Sequence, residues 1–360
     1  MKLGLDTYSY HYAAGLWEYT PRANAPMAIE HYLQKAAELD LDGVQLCDPR
    51  HLDSLEYGYV SDLRQKAESL GLYLELGTGG TNPDHLQSMV RTAHVMGSPV
   101  MRTFVGKPRP TTSDAMSKLL SATAGEIAQV TSVCERYQIA LALENHQDLT
   151  TDELLTLVEL IDSEWVGICF DTGNPLALLE DPLDSVIAFG PLVKCVHLKD
   201  YQVVARADGF ALIGCALGEG VVDLRGILDA LAQRAPDANL NIETYVGRHP
   251  CPVLDEEYLA RLPGTSASAL GRTLRLVRDR GLASEPQLAA EQGAPEDEIL
   301  AAEDELVLRS ARWAQQALGR SSPELSDLLE GSSGSAWDAR SAPGRHKASE
   351  SSQDGPQRSE

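Results

Sequence analysis

The chain has 360 residues, 43% hydrophobic and 23% charged, enough apolar content for one large core or two modest ones, which excludes disorder as the dominant state. Its 30 Lys and Arg against 53 Asp and Glu leave a formal charge of -23, which repels a phosphate backbone and sets nucleic acid aside as a partner. No apolar run approaches the roughly 18 residues of a membrane span, and Met1-Lys2-Leu3-Gly4-Leu5-Asp6 puts a carboxylate where a signal peptide needs its apolar centre. The expectation is a soluble, unexported, cytoplasmic protein with no membrane partner. Cys47, Cys169 and Cys195 lie in short apolar runs, where a thiol is a small hydrophobe, and no Cys-x-x-Cys pair occurs; this suits a reducing compartment.

Short apolar runs alternate with segments of helical period as far as residue 281. The first strand, Lys2 to Tyr8, leads into the aromatic run Tyr8, Tyr10, His11, Tyr12, Trp17 and Tyr19, which could wall a pocket or pack a loop, and then a helix over Met27 to Leu39. Strand Gly43 to Cys47 precedes helix Tyr59 to Leu70, and strand Leu72 to Leu76 precedes helix Asp84 to Met96 through the tight turn Thr78-Gly79-Gly80-Thr81-Asn82. The next pairs are Val100 to Phe104 with Ser113 to Tyr137, Ile139 to Glu144 with Thr151 to Ile161, and Val166 to Asp171 with Pro182 to Phe189. Val193 to Leu198 is followed by a long segment and helix Leu224 to Arg234, and Asn239 to Glu243 by helix Ser266 to Arg280. Eight such units predict an α/β fold, a (β/α)8 TIM barrel, for which about 250 residues is typical. The competing doubly wound sheet would carry a Gly-rich loop after its first strand, where this chain has Tyr8-Ser9-Tyr10-His11-Tyr12. Three segments are expected: a barrel over 1–281 with the catalytic site, an acidic linker and amphipathic helix over 282–320, and a disordered polar tail over 321–360. The helix, Glu303 to Leu318 with Trp313, would dock on the barrel or on another subunit.

The C-terminal ends of barrel strands converge on one mouth, so polar residues that terminate apolar runs are the chemical candidates. Glu144, Asp171, His197 and Glu243 end the last four strands. Each alone could cap a helix or make a core hydrogen bond. Together, three carboxylates repel one another unless a cation neutralises them, and oxygen ligands with one imidazole suit one divalent ion, manganese first, with magnesium or cobalt as alternatives.

Glu144-Asn145-His146, Asp171-Thr172-Gly173-Asn174, His197-Leu198-Lys199-Asp200, Gly218-Glu219-Gly220 with Asp223, and Glu243 resemble the xylose isomerase-like TIM barrel superfamily of sugar isomerases and epimerases. The resemblance runs from Met1 to about Arg280 and is most specific in the second half. It implies a metal held by Glu144, Asp171, His197 and Glu243, with the two glutamates on opposite faces of a sugar, where they serve the epimerase branch as acid and base. Asn174 stands where the superfamily often has His. That departs from the epimerase pattern, and also from the remote alternative, the endonuclease IV-like phosphodiesterases, whose trinuclear zinc site is rich in histidine.

A cation that chelates a carbonyl and a neighbouring hydroxyl stabilises an enediolate. The expected function is therefore a metal-dependent enzyme acting on a keto-sugar or oxo-sugar acid, an isomerase or epimerase first. The alternatives are a carbon–carbon lyase like the 3-oxo-isoapionate decarboxylases and a metal-binding subunit of a C-glycoside deglycosidase. His146 is placed to donate to a substrate oxygen or to act as an acid, or to support a ligand from behind. Lys199 and Arg206 would hold an oxyanion or carboxylate, with a surface ion pair as the other reading of Arg206, and Asn174 and Glu219 complete the expected substrate contacts. A homo-oligomer and a hetero-complex subunit both fit this sequence.

Overall fold

The computed structural model describes residues 1–17 and 22–320; Tyr19 of the aromatic run and the tail expected over 321–360 lie outside the described residues. In chain order the strands are β1 (Leu3–Asp6), β2 (Gly43–Leu46), β3 (Tyr73–Gly77), β4 (Val100–Thr103), β5 (Ala140–Glu144), β6 (Val166–Asp171), β7 (Val193–Leu198), β8 (Asp200–Arg206), β9 (Gly209–Cys215), β10 (Asn239–Ile242) and β11 (Arg248–Cys251). Eight of them close into a barrel in the order β1-β10-β7-β6-β5-β4-β3-β2, and every pair in it is parallel. All eight expected strands are barrel strands, with ends shifted by no more than a residue or two.

The strands close this way because their side chains alternate in size. Leu3 and Leu5, Val44 and Leu46, Leu74 and Leu76, Leu141 and Leu143, Ile168 and Phe170, and Leu240 and Ile242 form one buried shell with the helices. The intervening positions point inward. Val100, Ala142, Cys169 and Cys195 make a small apolar layer, so the two thiols do pack as hydrophobes. Opposite it the interior is polar, with Gln45, Glu75 and Asn241 fully buried beside the Tyr73 ring. Gly4 and Gly43 make room for that ring, since a Cβ at either would run into it.

The helices are α1 (His11–Ala14), α2 (Ile29–Glu38), α3 (Tyr57–Ser69), α4 (Pro83–Met96), α5 (Ser113–Ala128), α6 (Thr131–Tyr137), α7 (Thr151–Ile161), α8 (Pro182–Phe189), α9 (Leu224–Arg234), α10 (Glu256–Ala260), α11 (Ala267–Arg280) and α12 (Glu296–Ala317). Period alone predicts one helix over Ser113 to Tyr137; it is broken between α5 and α6, where the β-branched pair Val130-Thr131 intervenes and the Thr131 hydroxyl donates to the Ala128 carbonyl. The long segment after β7 is a hairpin, β8–β9, that joins β11 in a three-stranded antiparallel sheet. Tyr201, Val203, Phe210 and Leu212 pack it over Leu176 to Leu179.

Packing divides the C-terminal helices differently from their order. Val277 is the one buried residue of α11, whereas Val307, Ala311 and Ala314 of α12 belong to the main core. Glu303 of α12, fully buried, accepts from the Tyr12 and Ala13 backbone N–H groups at 2.7 and 3.0 Å, and Gln315 donates to the Leu39 carbonyl at 2.7 Å. The second of these helices, α12, therefore contributes to the barrel's core. Cutting the chain after Gly281 removes that apolar burial, on the order of 5 kcal/mol, which is much of a typical domain's stability. Thermal denaturation of that fragment should show a melting temperature lower by ten degrees or more, or no cooperative transition.

Candidate active site

Rim hydrogen bonds hold the ends of adjacent strands together. Asn145 clasps Asp171, accepting from its N–H at 2.7 Å and donating to its carbonyl at 2.9 Å. The Thr172 hydroxyl does the same for Lys199, accepting at 2.8 Å and donating at 2.7 Å, and Ser9 bridges the Ile242 carbonyl and Thr244 N–H, both at 2.9 Å. Glu144, Asp171, His197 and Glu243 thus converge as buried side chains at one end of the barrel. His197 Nδ1 lies 2.6 Å from Glu243 Oε2 and 3.7 Å from Glu144 Oε1.

Two fixed cations share this space. The Arg102 guanidinium, from β4, pairs with Glu144, and the Lys199 ammonium lies between Glu243 and Asp171 Oδ2, 2.9 Å from the latter. Asp171 Oδ1 accepts from the Gly173 and Asn174 N–H groups, and Asn174 Nδ2 donates to Glu144 Oε1 at 3.2 Å. Asp6, at the end of β1, is a fourth acid, with Oδ2 3.8 Å from His197 Nε2.

Burial alone pushes every one of these acids up, and the cations decide which stay charged. Arg102, helped by His197, overcomes burial to hold Glu144 down at about 2. Lys199 and His197 likewise overcome it at Glu243, which falls well below the usual carboxylate range. At Asp171 burial prevails over Lys199, with repulsion from Glu243 and Glu144 added, and the carboxyl is raised. Burial and Glu243 lift Asp6 to about 7. For His197, Glu243 and Glu144 outweigh burial and raise the imidazole well above its ordinary value.

The charge balance leaves polar atoms unsatisfied. Asp6 Oδ2, Asp171 Oδ2, His197 Nδ1 and Glu243 Oε2 are buried and have only the ion-pair contacts given above, the last two with each other and Asp171 Oδ2 with Lys199. Asp6, His197 and Glu243 each offer one ligand atom within 4.8 Å of the others, and Glu144, Cys169 and His197 form a second such group. Oxygen-rich donor sets with one imidazole fit a divalent cation. Asp171 is in neither group; its Oδ1 accepts from two backbone N–H groups and its Oδ2 lies against Lys199.

The mouth is aromatic. Tyr8 stacks on Tyr245 at 6.1 Å, meets Trp17 edge-on at 4.9 Å and lies 5.8 Å from the Lys199 ammonium. His146 is exposed and stacked on Phe104 at 4.1 Å. A cavity of about 180 Å³ is lined by His11 and Tyr245 together with Leu288, Glu291 and Ile299. Arg206 and Glu219 are exposed in surface ion pairs, Arg206 with Asp208 and Glu285, Glu219 with Arg309 of α12. Arg102 and Asp6 escaped the sequence reading, although each gave a signal: a lone Arg inside the apolar strand Val100-Met101-Arg102-Thr103, and an acid ending the first strand like those ending the later ones.

The strands close into a (β/α)8 barrel with acids at the strand ends, and a family model described as xylose isomerase-like TIM barrel matches residues 33–262. The chain belongs to that family. It is 33% identical over 247 residues to the 3-oxo-isoapionate decarboxylase of Pectobacterium atrosepticum, an alignment covering 67% of this chain and 84% of the relative. Among solved structures, a D-psicose 3-epimerase in the presence of D-fructose shares the fold with a TM-score of 0.58 at 17% identity, over 89% of this chain and 100% of that one. An IOLI protein with a binding zinc atom does so with a TM-score of 0.54 at 14% identity, over 78% and 97%.

Replacing Arg102 by Met should cost about 3–5 kcal/mol at neutral pH, because it strands the buried Glu144 charge. Glu144 has its pKa lowered on folding, so its favourable contribution is present above its ordinary 4.5 and is lost as pH falls toward about 2. Urea titrations from pH 7 to 3 should show the gap between wild type and Arg102→Met narrowing as pH falls, beginning above 4.5, because without Arg102 burial raises the Glu144 carboxyl and protonation relieves the variant first.

Proposed function

We propose that the protein is a divalent-metal-dependent lyase that removes CO2 from a 3-oxo sugar acid. The observation that carries this reading is the pinning of both glutamates by cations, Glu144 by Arg102 and Glu243 by Lys199. A carboxylate so stabilised is a weak base. Epimerisation or isomerisation asks the site to take a proton from carbon, whereas decarboxylation of a 3-oxo acid asks only for an electron sink and a proton donor. The 33% identity to a decarboxylase supports the same choice.

In this reading Glu144, His197, Glu243 and Asp6 supply the ligand atoms, and manganese remains the first choice of ion. When bound, the cation supplies a Lewis acid that favours negative charge on the carbonyl oxygen and its neighbour. The Lys199 ammonium, steadied by Asp171 and Glu243 under the Tyr8 ring, orients the substrate carboxylate. As the carbon–carbon bond breaks, CO2 leaves, and the electron pair passes to the former carbonyl oxygen. His146, held against Phe104, returns a proton to the carbon. The aromatic wall of Tyr8, Trp17 and Tyr245 shields the sugar face from water.

Elemental analysis should find about one divalent ion per chain, and His197→Ala protein that remains folded should hold less than a tenth of it. Turnover of 3-oxo sugar acids in deuterated water should release CO2 and place one deuterium in the product, with none in recovered substrate. Glu144→Gln or Glu243→Gln should retain measurable CO2 release if metal is kept. Deuterium exchange into a ketose without CO2, abolished by either Gln variant, would establish an isomerase or epimerase instead.

A further inference from the structure

We propose that Gln45 and Glu75 form a relay inside the barrel that fixes which nitrogen of His197 faces the carboxylate cluster, an inference that rests on the metal-centre reading above. Gln45 on β2 is in register with Asp6 on β1 and with Glu75 on β3, and Gln45, Glu75 and His197 are fully buried. His197 Nε2 meets Gln45 Oε1, and Gln45 Nε2 donates to Glu75 Oε2 at 2.7 Å.

The polarity of this chain is set at its far end. Glu75 accepts from three amides: Gln45 and Asn241 on Oε2 at 2.7 and 2.9 Å, and Asn239 on Oε1 at 2.7 Å. The Asn241 amide is itself oriented by the Tyr73 hydroxyl, which donates to its Oδ1 at 2.8 Å. Burial raises the Glu75 carboxyl, but Asn239 donates to one oxygen and Asn241, fixed by Tyr73, to the other, so even without Gln45 both oxygens are held as acceptors. A carboxylate only accepts, so Gln45 must turn its NH2 to Glu75 and its carbonyl oxygen to His197. That carbonyl also only accepts, so His197 Nε2 must carry hydrogen. Nδ1 is then the nitrogen left toward Glu243 and Glu144, 2.6 and 3.7 Å away, and it is the one whose proton a bound cation would displace. A reversed Gln45 amide would demand the lone pair at Nε2 and put the hydrogen on the nitrogen that faces the cluster. Gln45 and Glu75 are thus positioning residues, acting through His197 without touching substrate.

The test loads the full chain, labelled with 15N-histidine, with zinc as a diamagnetic probe, and reads zinc affinity by chelator competition and the His197 ring nitrogens by NMR. In the wild type, Nε2 should carry a slowly exchanging proton and Nδ1 the metal-shifted resonance. Gln45→Met, similar in size but without the acceptor, should lose about 10- to 100-fold in zinc affinity together with the slow exchange. The double replacement Gln45→Glu with Glu75→Gln keeps an acceptor against Nε2 and a donor between the two positions, and should recover most of both. Folded Gln45→Met with wild-type affinity and an unchanged Nε2 proton overturns the relay. Should Gln45→Met fail to fold, the isosteric Glu75→Gln decides alone: several-fold weaker zinc binding and a faster-exchanging Nε2 proton support the relay, and wild-type behaviour overturns it. Wild-type protein that binds no zinc refutes the metal centre itself.

Discussion

Carboxylates buried beside one another must be given positive charge, and the supply of that charge organises this barrel. Asp6, Glu75, Glu144, Asp171 and Glu243 are all buried inside it. Arg102 and Lys199 neutralise part of the set, amides at Gln45, Asn239 and Asn241 satisfy Glu75, and the remaining oxygens face His197. A site of this kind is costly to bury and leaves few ways to relax, which makes it stiff. The same cations that stabilise the glutamates make them poor bases, so the stability of the interior and the choice of chemistry have one physical origin.

Much of the fold was legible because strand and helix differ in period. Leu141 and Leu143 alternate with Ala142 and Glu144, and that pattern both identifies β5 and assigns its outer and inner faces. The hairpin β8–β9 was less legible, since Tyr201 to Val204 and Phe210 to Ile213 lie inside the long segment after the seventh strand, to which no strand was assigned; Asp208-Gly209 was the available turn signal. The position of α12 was legible only in part, as a helix that would dock on the barrel or on another subunit. Periodicity marks Val307, Ala311 and Ala314 as one face, but only the three-dimensional arrangement shows that this face joins the barrel core while most of α11 stays outside it.

At the site, residue types at strand ends found Glu144, Asp171, His197 and Glu243, because a barrel brings equivalent positions to one mouth. Partners deeper in the barrel were hidden: Arg102, Gln45 and Glu75 sit one or more residues inside their strands and act across strands far apart in sequence. Lys199 was found for its charge, yet its place between Asp171 and Glu243 depends on the side-chain packing under Tyr8. Arg206 and Glu219, singled out for charge and for a Gly-rich neighbourhood, belong to surface ion pairs, a distinction that sequence spacing does not carry.

The central claim is that the unsatisfied atoms at this mouth are a metal centre built around His197. Anomalous diffraction at the manganese edge, from crystals grown with the ion, tests it most directly. The account predicts one strong peak bonded to His197 Nδ1 and to carboxylate oxygens of Glu243 and at least one of Glu144 and Asp6. A peak only at surface acids, or bonded through His197 Nε2, would contradict it.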